Sequence, residues 1–213
     1  MIILNKTPAI LIKIENFKDN HLLLSIYSIN HGKKNLVVFG GKSKKKNTNF
    51  IKGLVSEIEF DTDNKCLNSN TLKTFNWFIF DKYRLKTIDY ICFLIDKLLF
   101  LQEEKSNVVN YYLNLITKMN SSSVYLTELL LLELEILKTS GYQPDLNKNV
   151  LSKIFKDLNF VDSITNEDLI AGIVDNIDAQ NQFFNFMGKV ISRVLINLNI
   201  NLPFPRSEII KKN

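Results

Sequence analysis

Residues 30–56 carry seven lysines, Lys33, Lys34, Lys42, Lys44, Lys45, Lys46 and Lys52, and no acidic residue. Ammonium groups resist burial and repel one another, so this clustering is the usual electrostatic footprint of a polyanion partner, set against the plainer reading of a merely solvated loop. The chemistry it offers is neutralisation of phosphate. If about five lysines meet phosphates on a single strand, the slope of log K against log salt is about −3.5, and affinity falls roughly a hundredfold between about 50 and 200 mM salt. Aromatic side chains interleave with the lysines. Phe39 and Phe50 flank them and are the expected exposed stacking residues, worth about 1–3 kcal/mol per base. Most of the others, Phe17, Tyr27, Phe75, Trp77, Phe78 and Phe80, are expected to alternate into a core.

Other site chemistries find no support. Gly40-Gly41-Lys42-Ser43 looks like the end of a phosphate-cradling loop, but Leu36 stands where the first glycine is required and no helical pattern follows. There is no GxSxG, no HExxH and no Ser/His/Asp set, so no catalytic residue is assigned and no enzyme is expected. Cys66 and Cys92 lack CxxC spacing, and His21 and His31 lack partners at ligand spacing. No metal or cofactor is therefore expected, the histidines are read as turn residues, and a reducing cytosol fits. The acid pairs Glu57/Glu59 and Glu133/Glu135 read as a strand's outer face and a helix's polar face.

The elements that must position the lysines are legible in the pattern. The formal net charge is +5 over 213 residues, but residues 1–80 hold 12 lysines against 6 acids, while residues 81–213 hold 15 cations against 16 acids. The excess charge belongs to the first 80 residues, which read as short strands: 8–14, 22–29, 35–39, an alternating 54–60, and an aromatic-rich 72–80 after a polar turn at 62–70. Asn30-His31-Gly32-Lys33 supplies a hairpin turn and Gly40-Gly41 ends a strand. Five antiparallel strands in this span predict a small closed barrel, most commonly the OB-fold. From residue 87 the apolar period becomes three to four. It predicts helices through 88–99 and 108–116, a long one over 124–139 capped by residues 121–123 and stopped at Gly141, a shorter one from 147 to about 158, and a last one over 179–198. The fold class is thus α+β, with an OB-fold domain at 1–80 and an all-helical domain at 81–213. No stretch approaches the roughly 20 apolar residues of a membrane span, and a cytoplasmic protein is expected.

The order of these motifs resembles the RecO family of DNA repair proteins. The resemblance runs from the strands around Gly32-Lys33 and the Gly40-Gly41 basic loop, through Glu133-Leu134-Glu135-Ile136-Leu137 and Gly141-Tyr142-Gln143-Pro144-Asp145-Leu146, to Leu202-Pro203-Phe204-Pro205-Arg206-Ser207. The Gly-Tyr-Gln-Pro-Asp-Leu stretch is its most specific part. Many family members carry a four-cysteine zinc module just after the Asp-Leu position, where this chain reads Asn147-Lys148-Asn149-Val150. The zinc module is expected to be absent, with packing by Leu151, Ile154, Phe155 and Leu158 in its place.

The resemblance implies an ATP-independent, nucleoid-associated bacterial mediator that binds single- and double-stranded DNA and anneals complementary strands. With RecR it would help RecA load onto strands coated by single-stranded DNA-binding protein. Capture of that coat protein's acidic, Phe-terminated tail needs an apolar socket with a cationic rim, and Lys189, Arg193 and Arg206 are the candidate rim. The DNA-binding candidates are Lys33, Lys34, Lys42, Lys44, Lys45, Lys46, Phe39 and Phe50. Two other readings use the same residues differently: an OB-fold RNA-binding factor of translation or transcription, and a helical adaptor whose barrel is only a scaffold.

Overall fold

A continuous apolar run suits a strand covered on both faces. Ala9-Ile10-Leu11-Ile12 is such a run, and it lies within β1 (Asn5–Phe17). A computed structural model of the chain describes residues 4–43, 50–73, 81–100, 106–122, 125–155 and 166–209. Lys44, Lys45, Lys46, the aromatics of 74–80 and Leu158 lie outside the described residues.

With β2 (His21–Ser28), β3 (Gly32–Val38), β4 (Val55–Phe60) and β5 (Cys66–Lys73), β1 forms a five-stranded sheet of order β3-β2-β1-β4-β5, each neighbouring pair antiparallel. The sheet curls on itself where β3 meets β5: Val37 pairs in parallel with Lys65, and its N–H donates to the Asn64 carbonyl at 2.9 Å. This is the expected OB-fold barrel. Ala9, Leu11, Leu24, Ile26, Leu36, Ile58 and Phe60 fill its interior, while Ile10 and Ile12 turn outward to a second core. A bulge between Leu11 and Lys13 inserts one residue, so Ile14 points in again and Lys13 stays in solvent. The fifth strand differs from expectation. It is described over 66–73, so it starts earlier than expected and takes in most of the stretch read as a turn, while 74–80 of the expected strand lie outside the described residues. Most of its side chains are exposed, so alternation of apolar residues was not required of it.

Six helices follow among the described residues: α1 (Lys82–Leu98), α2 (Val108–Ser121), α3 (Leu126–Thr139), α4 (Lys148–Ile154), α5 (Asn166–Ile173) and α6 (Ile177–Asn197). Asp81 caps α1 by accepting from the N–H groups of Tyr83 and Arg84. Ser121, expected at the start of the third helix, instead ends the second. Its hydroxyl bonds back to the Thr117 and Lys118 carbonyls within its own helix, and α3 starts at Leu126 without a side-chain cap. Helix α5 was not foreseen.

The Gly141-Tyr142 step has a structural cause. Gly141 takes φ +77°, its N–H bonds the Lys138 carbonyl at 3.1 Å, and Tyr142 N–H bonds the Leu137 carbonyl at 2.8 Å. These two bonds close α3, and Tyr142 and Leu146 then fold back onto the helical core. Leu151 and Phe155 are buried and Ile154 packs against the same core.

Barrel and helices share the larger core, to which Ile10, Ile12, Tyr27 and Val55 contribute from the strands. The Tyr112 hydroxyl donates to the Gly53 carbonyl at 2.6 Å, and the Tyr27 and Ser106 hydroxyls are hydrogen-bonded. Among the described residues no helix is long and apolar enough to cross a membrane.

Candidate nucleic-acid interface

The turn between β1 and β2 and the exit from β3 lie against each other at one end of the barrel. Gly40 has φ +63°, and its N–H donates to His21 Nδ1 at 3.1 Å. At Gly41 a Cβ would come within 2.9 Å of Leu22 Cγ, so the chain can leave β3 this closely only as glycine. Three hydrogen bonds follow: Lys42 N–H to the Asn20 carbonyl at 3.2 Å, and Lys42 Nζ to the Lys18 and Asp19 carbonyls at 3.0 and 2.7 Å.

Around these ties sits a cationic and aromatic cluster. Lys18 is exposed, with Nζ 5.5 Å from the Phe17 ring centroid. Phe39 is 49% exposed and its ring tilts at 59° to His21, 4.7 Å away. Lys42 therefore points its ammonium group over the β1–β2 turn, satisfied by two neutral carbonyls. A carbonyl pair orients a cation without cancelling its charge. The residues after Ser43 are those of the lysine run. Phe50, by contrast, is half-buried and packs on the barrel core. Lys18 escaped the sequence reading because it lies outside the acid-free segment; only the hairpin register brings it here.

Two of the four described lysines of the cluster are tied to acids of α1. Lys33 Nζ lies 2.9 Å from Asp96 Oδ1, with the two side chains 15% and 19% exposed, and it also donates to the Asp96 carbonyl. Burial works to raise the Asp96 pKa, but hydrogen bonds from Lys33 and Lys97 outweigh it and hold the carboxyl below its ordinary value. Lys33 thus faces the helical body. Lys52 lies 2.7 Å from Asp89. Lys34 is half-buried on β3. Glu57 and Glu59 form the outer face of β4, as expected, and meet Lys6 at 2.9 and 3.6 Å.

The helical body treats its candidate cations in two ways. Lys189 and Arg193 are exposed on α6, and the apolar stripe beside them, Phe183, Met187, Ile191 and Leu195, is buried core. Arg206 turns inward. Its side chain is 10% exposed and ion-paired with Glu133, whose side chain is 0% exposed. Its Nε also lies 3.3 Å from the Tyr90 hydroxyl, it donates to the Phe184 carbonyl, and its guanidinium sits 3.5 Å from the Phe184 ring centroid. Glu133 and Glu135 are therefore not a solvated helix face. Glu133 anchors Arg206, and Glu135 accepts from the Asn107 N–H at 3.0 Å, at the start of α2. The sequence did hold a signal for this, two acids set inside an otherwise apolar run on α3.

Among the described residues no three metal-ligating side chains come together. A groove of about 350 Å³ between α2 and α3, lined by Tyr111, Lys118, Glu128 and Leu131 among others, shares no residue with the basic barrel end.

Comparison with known proteins gives concordant matches. A family model described as "Recombination protein O C terminal" matches residues 80–172, the stretch that begins at α1 and includes α2, α3 and α4. The DNA repair protein RecO of Rickettsia felis is 24% identical, over 73% of this chain and 67% of its own length. The DNA repair protein RecO of Rickettsia canadensis is likewise 24% identical, over 73% of this chain and 66% of its own.

Proposed function

We propose that the chain, which is similar to RecO proteins over most of its length, is a DNA repair protein of that family that binds DNA through one end of its barrel. In this role it anneals complementary strands without catalysing a reaction. The observation that carries the reading is the meeting of Lys18, Lys42 and Phe39 at that end, from which the chain continues into Lys44, Lys45 and Lys46. Lysines follow the backbone of either a single strand or a duplex, and an exposed aromatic adds a surface on which an unpaired base can stack. The binding set is Lys34, Lys42, Lys44, Lys45 and Lys46 with Phe39, and Lys18 joins it; Lys33, held by Asp96, supports the fold.

In the cell this activity would serve recombination. With RecR, the protein would help RecA load onto strands coated by single-stranded DNA-binding protein. Lys189 and Arg193 on the open side of α6 are the cations available to the acidic tail of that coat protein, since Arg206 is committed to Glu133.

The test is salt-dependent binding and annealing of complementary oligonucleotides by the full chain and by its K42E/K44E/K45E/K46E variant. The full chain is expected to show a slope of log K against log salt of about −3.5 on single strands, and the variant to lose most of both activities. Unchanged binding by the variant, or preference for structured RNA with no annealing, would overturn the reading.

A further inference from the structure

Lys33 and Lys52 both reach acids of α1, but on different terms. The Lys33–Asp96 pair is largely buried and reinforced by a main-chain carbonyl, so it is a fixed part of the junction between barrel and helices. The Lys52–Asp89 pair is a single 2.7 Å contact between side chains that are 40% and 51% exposed. Ion pairs of that kind are weak and screened by salt. Their two acids lie seven residues apart, on one stripe of α1 turned to the basic strands.

The backbone at Lys52 does not depend on the pair. The next residue, Gly53, donates its N–H to the Leu11 carbonyl at 2.7 Å and accepts the Tyr112 hydroxyl at 2.6 Å. Phe50 and Ile51 pack on the barrel core just before it. The Lys52 side chain can therefore leave Asp89 while its loop stays in place.

We propose that Lys52 is a phosphate-binding residue that Asp89 occupies in the nucleic-acid-free protein, so that α1 competes internally with DNA for one cation of the barrel. A line of phosphates offers Lys52 the same charge as Asp89 together with release of condensed counterions. The carboxylate sets a threshold that a short or poorly aligned polyanion fails to pass. This inference rests on the DNA-binding reading above.

The experiment measures binding of a fluorescent single-stranded oligothymidylate by the full chain and its D89N, K52A and D89N/K52A variants across a salt series. Freeing one lysine steepens the slope by about 0.7, so D89N should bind about eightfold more tightly at about 50 mM salt and about threefold at about 200 mM. K52A should abolish that gain, leaving D89N/K52A equal to K52A. No gain in D89N, or the same gain without Lys52, overturns the inference. If the unaltered chain itself shows no salt-sensitive binding, the DNA-binding reading falls and takes this inference with it. If it binds and D89N changes nothing, only the role of Asp89 is lost.

Discussion

Lys42 at the barrel end and Arg206 in the helical body each donate to main-chain carbonyl oxygens, yet their settings differ in one respect. Arg206 also meets a carboxylate with no exposed surface, whereas the Lys42 ammonium group, among the described residues, donates to neutral oxygens. Burial makes the first pair interdependent, because a lone ion in the interior is far more costly than a lone ion at the surface. The second arrangement leaves a unit of charge oriented but uncancelled. The same kind of side chain is architecture in one place and a contact surface in the other, and the position of the nearest carboxylate decides which.

The largest effect should come from breaking the interior pair. Arg206→Met strands Glu133 and is expected to cost about 3–5 kcal/mol in urea unfolding, whereas adding Glu133→Leu should recover much of that loss. DNA affinity of the folded protein should be unchanged by either. If Arg206→Met instead weakens DNA binding at constant stability, the contrast between the two cations is wrong.

A smaller effect probes the junction between the two regions, where Cys92 of α1 packs with its Sγ 3.9 Å from the Leu11 carbonyl of β1. Burial pushes this thiol up to about 12 from an ordinary 9.0. The folded protein thus keeps a proton that the unfolded chain releases, so stability is unaffected below about pH 9 and falls as pH rises above it. The slope should approach about 1.4 kcal/mol per pH unit. Cys92→Ala should flatten the profile between about pH 9 and 10, before the buried hydroxyls of Tyr90 and Tyr112, also raised by burial, begin to contribute. An unchanged profile would show that the junction admits water.

The smallest effect belongs to the surface cation. Lys42→Ala should weaken single-strand binding about fivefold at about 100 mM salt, one phosphate contact's worth. Stability should shift by no more than about 0.5 kcal/mol. A stability loss comparable to that of Arg206→Met would make the Lys42 ties to the β1–β2 turn structural rather than orienting.

The barrel was legible in the sequence wherever one strand face had to be apolar. β2, β3 and β4 advertise themselves in this way, and so do α1 and α6 through their three-to-four spacing. β5 did not, because Asn68, Asn70 and Thr71 face solvent and only backbone pairing with β4 defines the strand. Ser121 misled for a related reason: a serine can cap a following helix or bond back into its own, and the choice depends on where the chain turns. The basic cluster was readable as charge, but its division was not. Lys33 and Lys52 are separated from Lys42 by the packing of α1 on the barrel, a contact between segments some 40 to 60 residues apart. Arg206 and Glu133 were each visible alone, but their 73-residue separation hid the partnership.

That separation also orders the birth of the molecule. The five described strands of the barrel lie within residues 5–73, so their sheet can pair while the rest of the chain is still being made. The α3 carboxylate has no such freedom. Until the ribosome has passed Arg206, Glu133 lacks the guanidinium it meets in the folded interior. The helical half is therefore expected to close last, when the Ile209 carbonyl comes to accept from the hydroxyls of Thr87 and Tyr125.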